Sequence, residues 1–196
     1  MKKENIYKWA ILTTGWGRNA FDLIKTFNDN SQALGNSTIS VLIYETDPCG
    51  AADVAKRYGI KTIQLKRADF NDQIDYQKYI CEKLIELDID FIFLLNYKYI
   101  IKETLLNKFE NRILNIHPSL LPSFKGTKTA IQDAIAYGVK ITGLTTHVVN
   151  EEVDGGAIIA QKTIKIKPKD TFESLYPKFS KKGKKLIIKS INLVTN

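Results

Sequence analysis

The sequence contains few of the residues that hold metal ions or form disulfide frameworks. Only two of its 196 residues are cysteine, and the spacing of Cys49 and Cys81 matches no metal-ligand pattern. No apolar run approaches the roughly 20 residues that a membrane-spanning helix needs. We therefore expect no metal site and no membrane span, and we expect both cysteines to be free thiols in the cytoplasm.

Repeats, low-complexity segments and flexible linkers are also missing, and the length suits one domain. The amino-terminal stretch MKKENIYKWAILTTG has a short apolar part with Trp9 beside Lys8, and it leads into a glycine turn. We interpret it as the start of a first strand rather than an export signal. A single domain over residues 1–196 is predicted, and its oligomeric state is left open.

Acidic residues are fewer than basic ones, 21 against 29, and the formal net charge is +8. Such a charge attracts anionic ligands such as phosphates or a glutamate tail, although most of these lysines fit a solvated surface. The sequence has no RNA-binding motif and no aromatic platform. Small anionic molecules are therefore the expected partners, and nucleic acid is not.

Apolar, β-prone runs alternate with helical patterns along the chain. The predicted strands are 7–14, 38–45, 61–65, 90–95, 113–117, 141–149 and 157–166. The predicted helices are 20–27, 49–58, 71–87, 129–137 and 170–194. On the third helix, the apolar stripe expected in the core comprises Ile74, Tyr79, Ile80, Leu84 and Ile85. The alternation predicts an α/β fold with a doubly wound, mostly parallel twisted sheet.

Two polar side chains end the predicted strand 113–117. Asn115 and His117 are two residues apart, so they project from the same face of a strand. Pro118 removes a backbone donor and should end the strand. An amide and an imidazole are therefore expected side by side at the mouth of a strand, where open α/β sheets place their chemistry.

A glycine-rich turn follows the first predicted strand. It comprises Gly15, Trp16, Gly17, Arg18 and Asn19. Glycine lets the backbone approach a ligand closely, and the amino terminus of the following helix favours an anion. The turn is a candidate phosphate site, with an ordinary tight turn as the alternative.

The motifs together resemble those of the folate-dependent formyltransferases. The resemblance is carried by NIHPSLLP at 115–122, GLTTH at 143–147, VDGG at 153–156 and IIAQ at 158–161. It covers nearly the whole chain, and the order and spacing are most similar to the members that act on glycinamide ribonucleotide. The resemblance implies a formyltransferase-like fold with a Rossmann-type first half.

The same resemblance implies an enzyme that uses 10-formyltetrahydrofolate as co-substrate and needs no metal. It implies formyl transfer to a phosphorylated primary amine, with glycinamide ribonucleotide of purine biosynthesis as the expected acceptor. Residues 1–110, including the turn 15–19, should bind the acceptor, and residues 111–196 should hold the folate and the catalytic groups. A nucleotide-linked amino sugar as acceptor, or a catalytically idle folate- or nucleotide-binding protein, remain as alternatives.

Formyl transfer passes through an oxyanion and releases a proton from the attacking amine. Asn115 and His117 can donate hydrogen bonds to the oxyanion, and Asp154 can accept the proton. The resemblance implies the same catalytic trio, with His147 near the site. Gly155 and the glycine after it should let the Asp154 loop approach the cofactor. The folate-binding residues that the resemblance implies are Lys98, Tyr99, Ile100, Ile101, Asn150, Val153 and Asp154.

Departures from the family pattern cluster at ligand-contacting positions. Gln73 stands where an arginine is common, and Lys98 begins a pair that is usually Met-Arg. Lys128 replaces a frequent histidine, and Gly183 falls where a glutamate contacts the substrate ribose. Gly183 is also expected to interrupt the last helix, and the lysines of residues 181–185 are expected on a solvated face, with a phosphate-facing patch as the alternative. The acceptor is therefore less well defined than the reaction.

Overall fold

The computed structural model describes residues 6–195, so residues 1–5 and 196 of the predicted domain lie outside it. The strands are β1 (Tyr7–Thr13), β2 (Ser37–Tyr44), β3 (Lys61–Gln64), β4 (Phe91–Leu94), β5 (Ile113–His117), β6 (Ile141–Val148) and β7 (Ile158–Lys165). The helices are α1 (Arg18–Asp29), α2 (Gly50–Arg57), α3 (Gln73–Glu86), α4 (Glu103–Lys108), α5 (Ala130–Tyr137) and α6 (Phe172–Thr195). Short 3₁₀ turns lie at Ser31–Leu34 and Arg67–Asp69.

All seven strands form one sheet in the order β3-β2-β1-β4-β5-β6-β7. The first five are parallel, and β6 and β7 add to β5 in antiparallel fashion. The prediction of a doubly wound, mostly parallel sheet is confirmed. The strand order reverses between β1 and β4, so the loops that follow these two strands lie side by side. Open α/β sheets bind ligands in the crevice at such a switch point.

The central strands are apolar on both faces because helices cover both. On β1, the side chains of Trp9 and Ile11 join the core layer of α1, α2 and α6, and those of Ala10 and Leu12 join the layer of α3 and α4. All four side chains are fully buried. A near-continuous apolar run is what a strand between two helical layers requires.

The prediction for the core face of α3 was partly wrong. Ile80 and Leu84 are buried, as expected, but Ile74, Tyr79 and Ile85 are exposed. The helix packs on the sheet through a narrow stripe of residues four apart, which begins at Tyr76. The remaining apolar residues lie on its flanks, since a helix that contacts one layer buries only one face.

The expectation that Gly183 interrupts the last helix was also wrong, because α6 is continuous through it. Gly183 is buried, and so are Leu186 and Ile187 one turn later. A glycine costs a helix about 1 kcal/mol relative to alanine, which the burial of two large apolar side chains outweighs. The short helix α4 was not predicted.

Both cysteines are buried free thiols. Burial raises the pKa of Cys49 and of Cys81, which keeps both thiols protonated and unreactive near neutral pH. Within residues 6–195, no helix combines the length and the apolar character needed to cross a membrane.

Candidate active site

The predicted Asn-x-His pair lies where β5 extends beyond the end of β4, its parallel neighbour. β4 ends at Leu94, whose partner is Asn115, and β5 continues to His117. On its other side β5 pairs with β6, which sets His147 opposite Asn115. Because directly paired residues face the same side of a sheet, these amide and imidazole groups project from one face.

Asp154 reaches the same face from the loop between β6 and β7. Its backbone has a φ of 52°, a left-handed conformation that aspartate tolerates better than most residues. One carboxylate oxygen lies 3.2 Å from His117 Nδ1 and the other lies 3.4 Å from His147 Nε2. The backbone N–H of Gly126 donates to the first oxygen at 2.9 Å. The tertiary structure therefore brings the predicted trio and His147 together.

The partners of His117 define how its ring is held. Its Nε2 lies 2.9 Å from the carbonyl oxygen of Phe124, which can only accept, while Nδ1 faces Asp154. Both hydrogen bonds form together only when each ring nitrogen carries a proton. The side chain is only 7% exposed, so His117 supplies positive charge from behind the carboxylate and presents no free N–H.

His147, expected only near the site, joins Asn115 to Asp154. Its Nδ1 donates to the carbonyl oxygen of Val148 at 2.9 Å, so Nε2 accepts from Asn115 in the neutral ring and donates to Asp154 when it carries a proton. Nε2 lies 3.2 Å from Nδ2 of Asn115. The four side chains thus form one network, in which His147 fixes the amide of Asn115.

Burial by itself raises the pKa of Asp154, but hydrogen bonds from His147 and the Gly126 N–H, with the charges of His117 and His147, outweigh it. The pKa of Asp154 therefore lies below its ordinary value. The carboxylate stays ionised near neutral pH because its charged form receives more hydrogen bonds and opposite charge than burial costs.

Gly155 and Gly156 have a packing reason that the sequence did not indicate. A Cβ at Gly156 would overlap the carbonyl oxygen of Val148, and a Cβ at Gly155 would overlap the side chain of Glu152. The close approach that requires glycine is thus made within the β6–β7 loop itself. It allows the loop to fold back over β6 and deliver Asp154.

A cleft of about 760 Å³ opens in front of this network. Asn115, His147 and Asp154 line it, and His117 lies behind them. All the residues expected to bind folate also line it, namely Lys98, Tyr99, Ile100, Ile101, Asn150, Val153 and Asp154. Lys128, one of the departures from the family pattern, also lines this cleft.

The glycine-rich turn contributes one residue, Asn19, to the large cleft. Gly17 has a φ of 78°, and a Cβ there would lie 2.7 Å from that of Ala51, so the turn requires glycine at this position. Arg18 directs its Nε to Asp22 at 3.1 Å. Trp16 packs over the backbone of Gly50.

A smaller cleft of about 340 Å³ lies beside the turn. Arg18 lines it together with Lys181 and Lys184 of α6. This placement is compatible with a solvated lysine face and with the alternative of a phosphate-facing patch. The sequence could not indicate this approach, because α1 and α6 lie far apart in the chain.

The loop after β4 is tied to its surroundings by side chains that the sequence did not single out. Tyr99 donates its hydroxyl to Glu45 at 2.6 Å, and Lys98 Nζ lies 3.0 Å from the same carboxylate. Gln73 and Gln77 both donate to the carbonyl oxygen of Ile100, at 2.5 and 2.9 Å. Gln73 thus supports the loop instead of presenting a charge to a ligand.

Helix α6 supplies a wall of the cleft that sequence reasoning missed. The wall comprises Phe172, Tyr176, Phe179 and Ser180. These residues are three to four positions apart, which places them on one face of a helix. The periodicity was available in the sequence, but the same pattern is typical of ordinary core packing.

The fold and the site define a doubly wound α/β protein that brings an amide, two imidazoles and a carboxylate together beside one cleft. The family model described as "Formyl transferase" matches residues 7–191. The chain belongs to this family, and the resemblance seen in the sequence is confirmed.

The relatives agree with this assignment. Phosphoribosylglycinamide formyltransferase of Bacillus subtilis is 30% identical over 89% of this chain and 87% of its own length. Trifunctional purine biosynthetic protein adenosine-3 of Gallus gallus is 35% identical over 88% of the chain, which spans only 17% of that relative. The crystal structure of phosphoribosylglycinamide formyltransferase from Bacillus halodurans has a TM-score of 0.88 and 33% identity, covering 95% of this chain and 94% of its own.

The lowered pKa of Asp154 makes stability depend on pH, and Asp154→Asn tests this. In acid, the unfolded carboxyl takes up its proton before the folded one, so the Asp154 contribution is complete above the ordinary value of 3.8 and is lost as the pH falls through the lower folded pKa. The wild type should therefore exceed the variant in unfolding free energy at pH 7, and the difference should shrink towards pH 3. Urea denaturation at each pH measures it.

Asp88→Asn is the matched control, because Asp88 has a similar φ of 51° and an 87% exposed side chain. The difference in unfolding free energy between Asp88→Asn and the wild type should change little between pH 7 and pH 3. If the wild type and Asp154→Asn differ in unfolding free energy by the same amount at pH 7 and at pH 3, the lowered pKa of Asp154 is contradicted.

Proposed function

We propose that this chain transfers a formyl group from 10-formyltetrahydrofolate to a primary amine, glycinamide ribonucleotide, in purine biosynthesis. The observation that carries the proposal is the hydrogen-bonded network Asn115–His147–Asp154–His117 along one cleft. It unites a neutral hydrogen-bond donor with an ionised carboxylate. An amine that attacks a formyl carbon needs both groups within reach of one point.

Asn115 serves as the donor to the oxygen that gains negative charge in the transition state. His147 holds its amide in place, so that little reorganisation is needed. Asp154 attracts the ammonium form of the acceptor and receives its proton. His117 keeps Asp154 ionised and orients it. Donation from His117 itself to the oxyanion, as first expected, would require one of its two hydrogen bonds to break.

The co-substrate fits the large cleft by size and chemistry. A volume of about 760 Å³ lies within the range of about 300–1,000 Å³ for small-molecule sites. Ile100, Ile101 and Val153 offer apolar contact, and Asn150 offers a polar one. When bound there, 10-formyltetrahydrofolate supplies the one-carbon group. Its predicted binding residues come from both halves of the chain, so the proposed folate site crosses the division at residue 110.

The acceptor phosphate binds the turn 15–19 in this proposal. The first turn of α1 carries no acidic residue, and its backbone N–H groups favour an anion. The hydroxyl of Thr13 is buried beside Gly17, without a hydrogen-bond partner among residues 6–195. Lys181 and Lys184 add positive charge nearby. The buried free thiols suit the cytoplasmic location that we propose.

The names of the relatives support glycinamide ribonucleotide as the acceptor. Gly183 counts against it, because the family pattern has a ribose-contacting glutamate at this position. A Cβ at Gly183 would lie 3.7 Å from Leu144 and 3.8 Å from Asn19, and the glycine offers no carboxylate at this position. A formyl-transfer assay should therefore compare glycinamide ribonucleotide with a panel of amines that includes a nucleotide-linked amino sugar. Glycinamide ribonucleotide should give the highest kcat/KM. Absence of transfer to every amine, with folate still bound, would favour the idle binding protein.

Removal of the proposed catalytic groups should lower turnover much more than folate binding. We expect Asp154→Asn and Asn115→Ala each to reduce kcat at least about a hundredfold, the scale of a positioned acid-base or oxyanion group. The losses should not add, because the groups act as one unit. Steady-state kinetics and direct tetrahydrofolate binding on folded variants measure both quantities. Near-normal turnover of Asp154→Asn would assign proton transfer elsewhere.

His117→Ala further separates the effect on turnover from the effect on folate binding. It leaves the cleft lining intact, so tetrahydrofolate binding should be nearly unchanged while kcat falls on a similar scale. Asp88→Asn again serves as the control that changes neither. If Asp154→Asn, Asn115→Ala and His117→Ala weaken folate binding without lowering kcat, the proposed catalytic roles lose their support.

Substitution of Gly17 tests the proposed phosphate turn. Gly17→Ala forces a left-handed φ on alanine and meets Ala51, so it should raise the KM for the acceptor about tenfold or more and leave tetrahydrofolate binding nearly unchanged. Gly138→Ala is the matched control, with a φ of 82°, open space around it and a place outside both clefts. Equal effects of the two variants on acceptor KM would indicate mere destabilisation.

A further inference from the structure

One residue connects the acceptor turn to the folate-lining loop. Asn96 follows β4 at the switch point of the sheet and lines the large cleft. Its φ is 60°, a left-handed conformation that asparagine and glycine adopt with least strain. Its side chain is therefore held above the loop that follows β1, across the point where the strand order reverses.

The contacts of Asn96 run in both directions. Its Oδ1 accepts from the backbone N–H of Asn19 at 3.2 Å, in the first turn of α1. Its carbonyl oxygen accepts from the N–H and the hydroxyl of Thr14, at 3.2 and 3.1 Å. The same hydroxyl accepts from the N–H of Lys98 at 3.0 Å. A continuous set of hydrogen bonds therefore joins the two loops.

These contacts give Asn96 a position between the two proposed ligands. The N–H of Asn19 belongs to the helix terminus that attracts an anion, and residues 98–101 line the cleft on the other side. A ligand that orders either loop must therefore also order the bonds through Asn96. By linkage, any gain in affinity is the same in both directions.

We propose that Asn96 is a positioning residue that couples the folate site to the acceptor site, so that each ligand strengthens the binding of the other. The inference builds on the proposed function, because it takes the two ligands from it. The amide of Asn96 carries the coupling from loop to loop. Its backbone conformation only permits that placement, and glycine can adopt the same conformation.

Asn96→Gly is the decisive variant, since it retains the left-handed backbone and removes only the amide. Isothermal titration calorimetry measures the Kd of glycinamide ribonucleotide with and without saturating tetrahydrofolate, which has no formyl group and permits no turnover. In the wild type, folate should tighten acceptor binding at least about fivefold, the lower end of typical coupling. In Asn96→Gly, the ratio of the two Kd values should fall to about one.

Asn111→Gly is the control for replacing a left-handed asparagine by glycine. Asn111 has a φ of 57° and precedes the amino-terminal end of β5, away from the strand end that bears the site. This variant should keep the wild-type ratio. Thr14→Val, which removes the hydroxyl that connects Asn96 to Lys98, should lower the ratio in the same direction as Asn96→Gly.

The outcomes distinguish this inference from the proposed function. A wild-type protein that formylates the acceptor but shows a Kd ratio of one overturns the coupling and leaves the enzyme assignment intact. Asn96→Gly with the wild-type ratio also overturns it. Failure of the wild type to formylate any amine, or to bind the acceptor at all, counts against the proposed function and the coupling together.

Discussion

The site depends on one carboxylate buried between two imidazoles. Leaving the charge of Asp154 without a partner would cost about 3–5 kcal/mol, whereas a left-handed conformation costs an ordinary residue about 1–2 kcal/mol. The pairing therefore outweighs the backbone strain at Asp154. It also explains why the loop that follows β5 meets His117 with the carbonyl of Phe124 and Asp154 with the N–H of Gly126. The loop completes the hydrogen bonding of a charge pair that the strands alone would leave partly unsatisfied.

The antiparallel pair β6 and β7 gives the network its shape. If β7 ran parallel to β6, their connection would need a crossover of about a dozen residues or more, and the short loop that carries Asp154 would not return to His117. Reversal of direction instead sets His147 opposite Asn115 and folds the glycines of the loop against β6. The parallel part of the sheet supplies the crevice together with Asn115 and His117 on β5. The antiparallel part supplies the other two network groups, His147 on β6 and Asp154 on the loop after it.

The two loops at the switch point adjoin both ligands of the proposed function. The β1–α1 turn and the loop after β4 meet because the strand order reverses there. Glu45, Gln73 and Gln77 hold the second loop from behind. The rigid sheet and α3 therefore set the shape of the cleft, and Asn96 remains the direct connection between the two loops.

The sequence by itself determined the fold class and the family, and it predicted Asn115, His117 and Asp154 as the catalytic groups. Strand periodicity and proline placement act over a few residues, so they are readable along the chain. Only the tertiary structure decided that His147 joins the network, that α6 forms a wall of the cleft and that Gln73 supports a loop. It also corrected the prediction of which α3 residues are buried, and it showed that α6 continues through Gly183. These features depend on contacts between residues far apart in sequence, and local patterns carry no information about which distant group will lie within hydrogen-bonding distance.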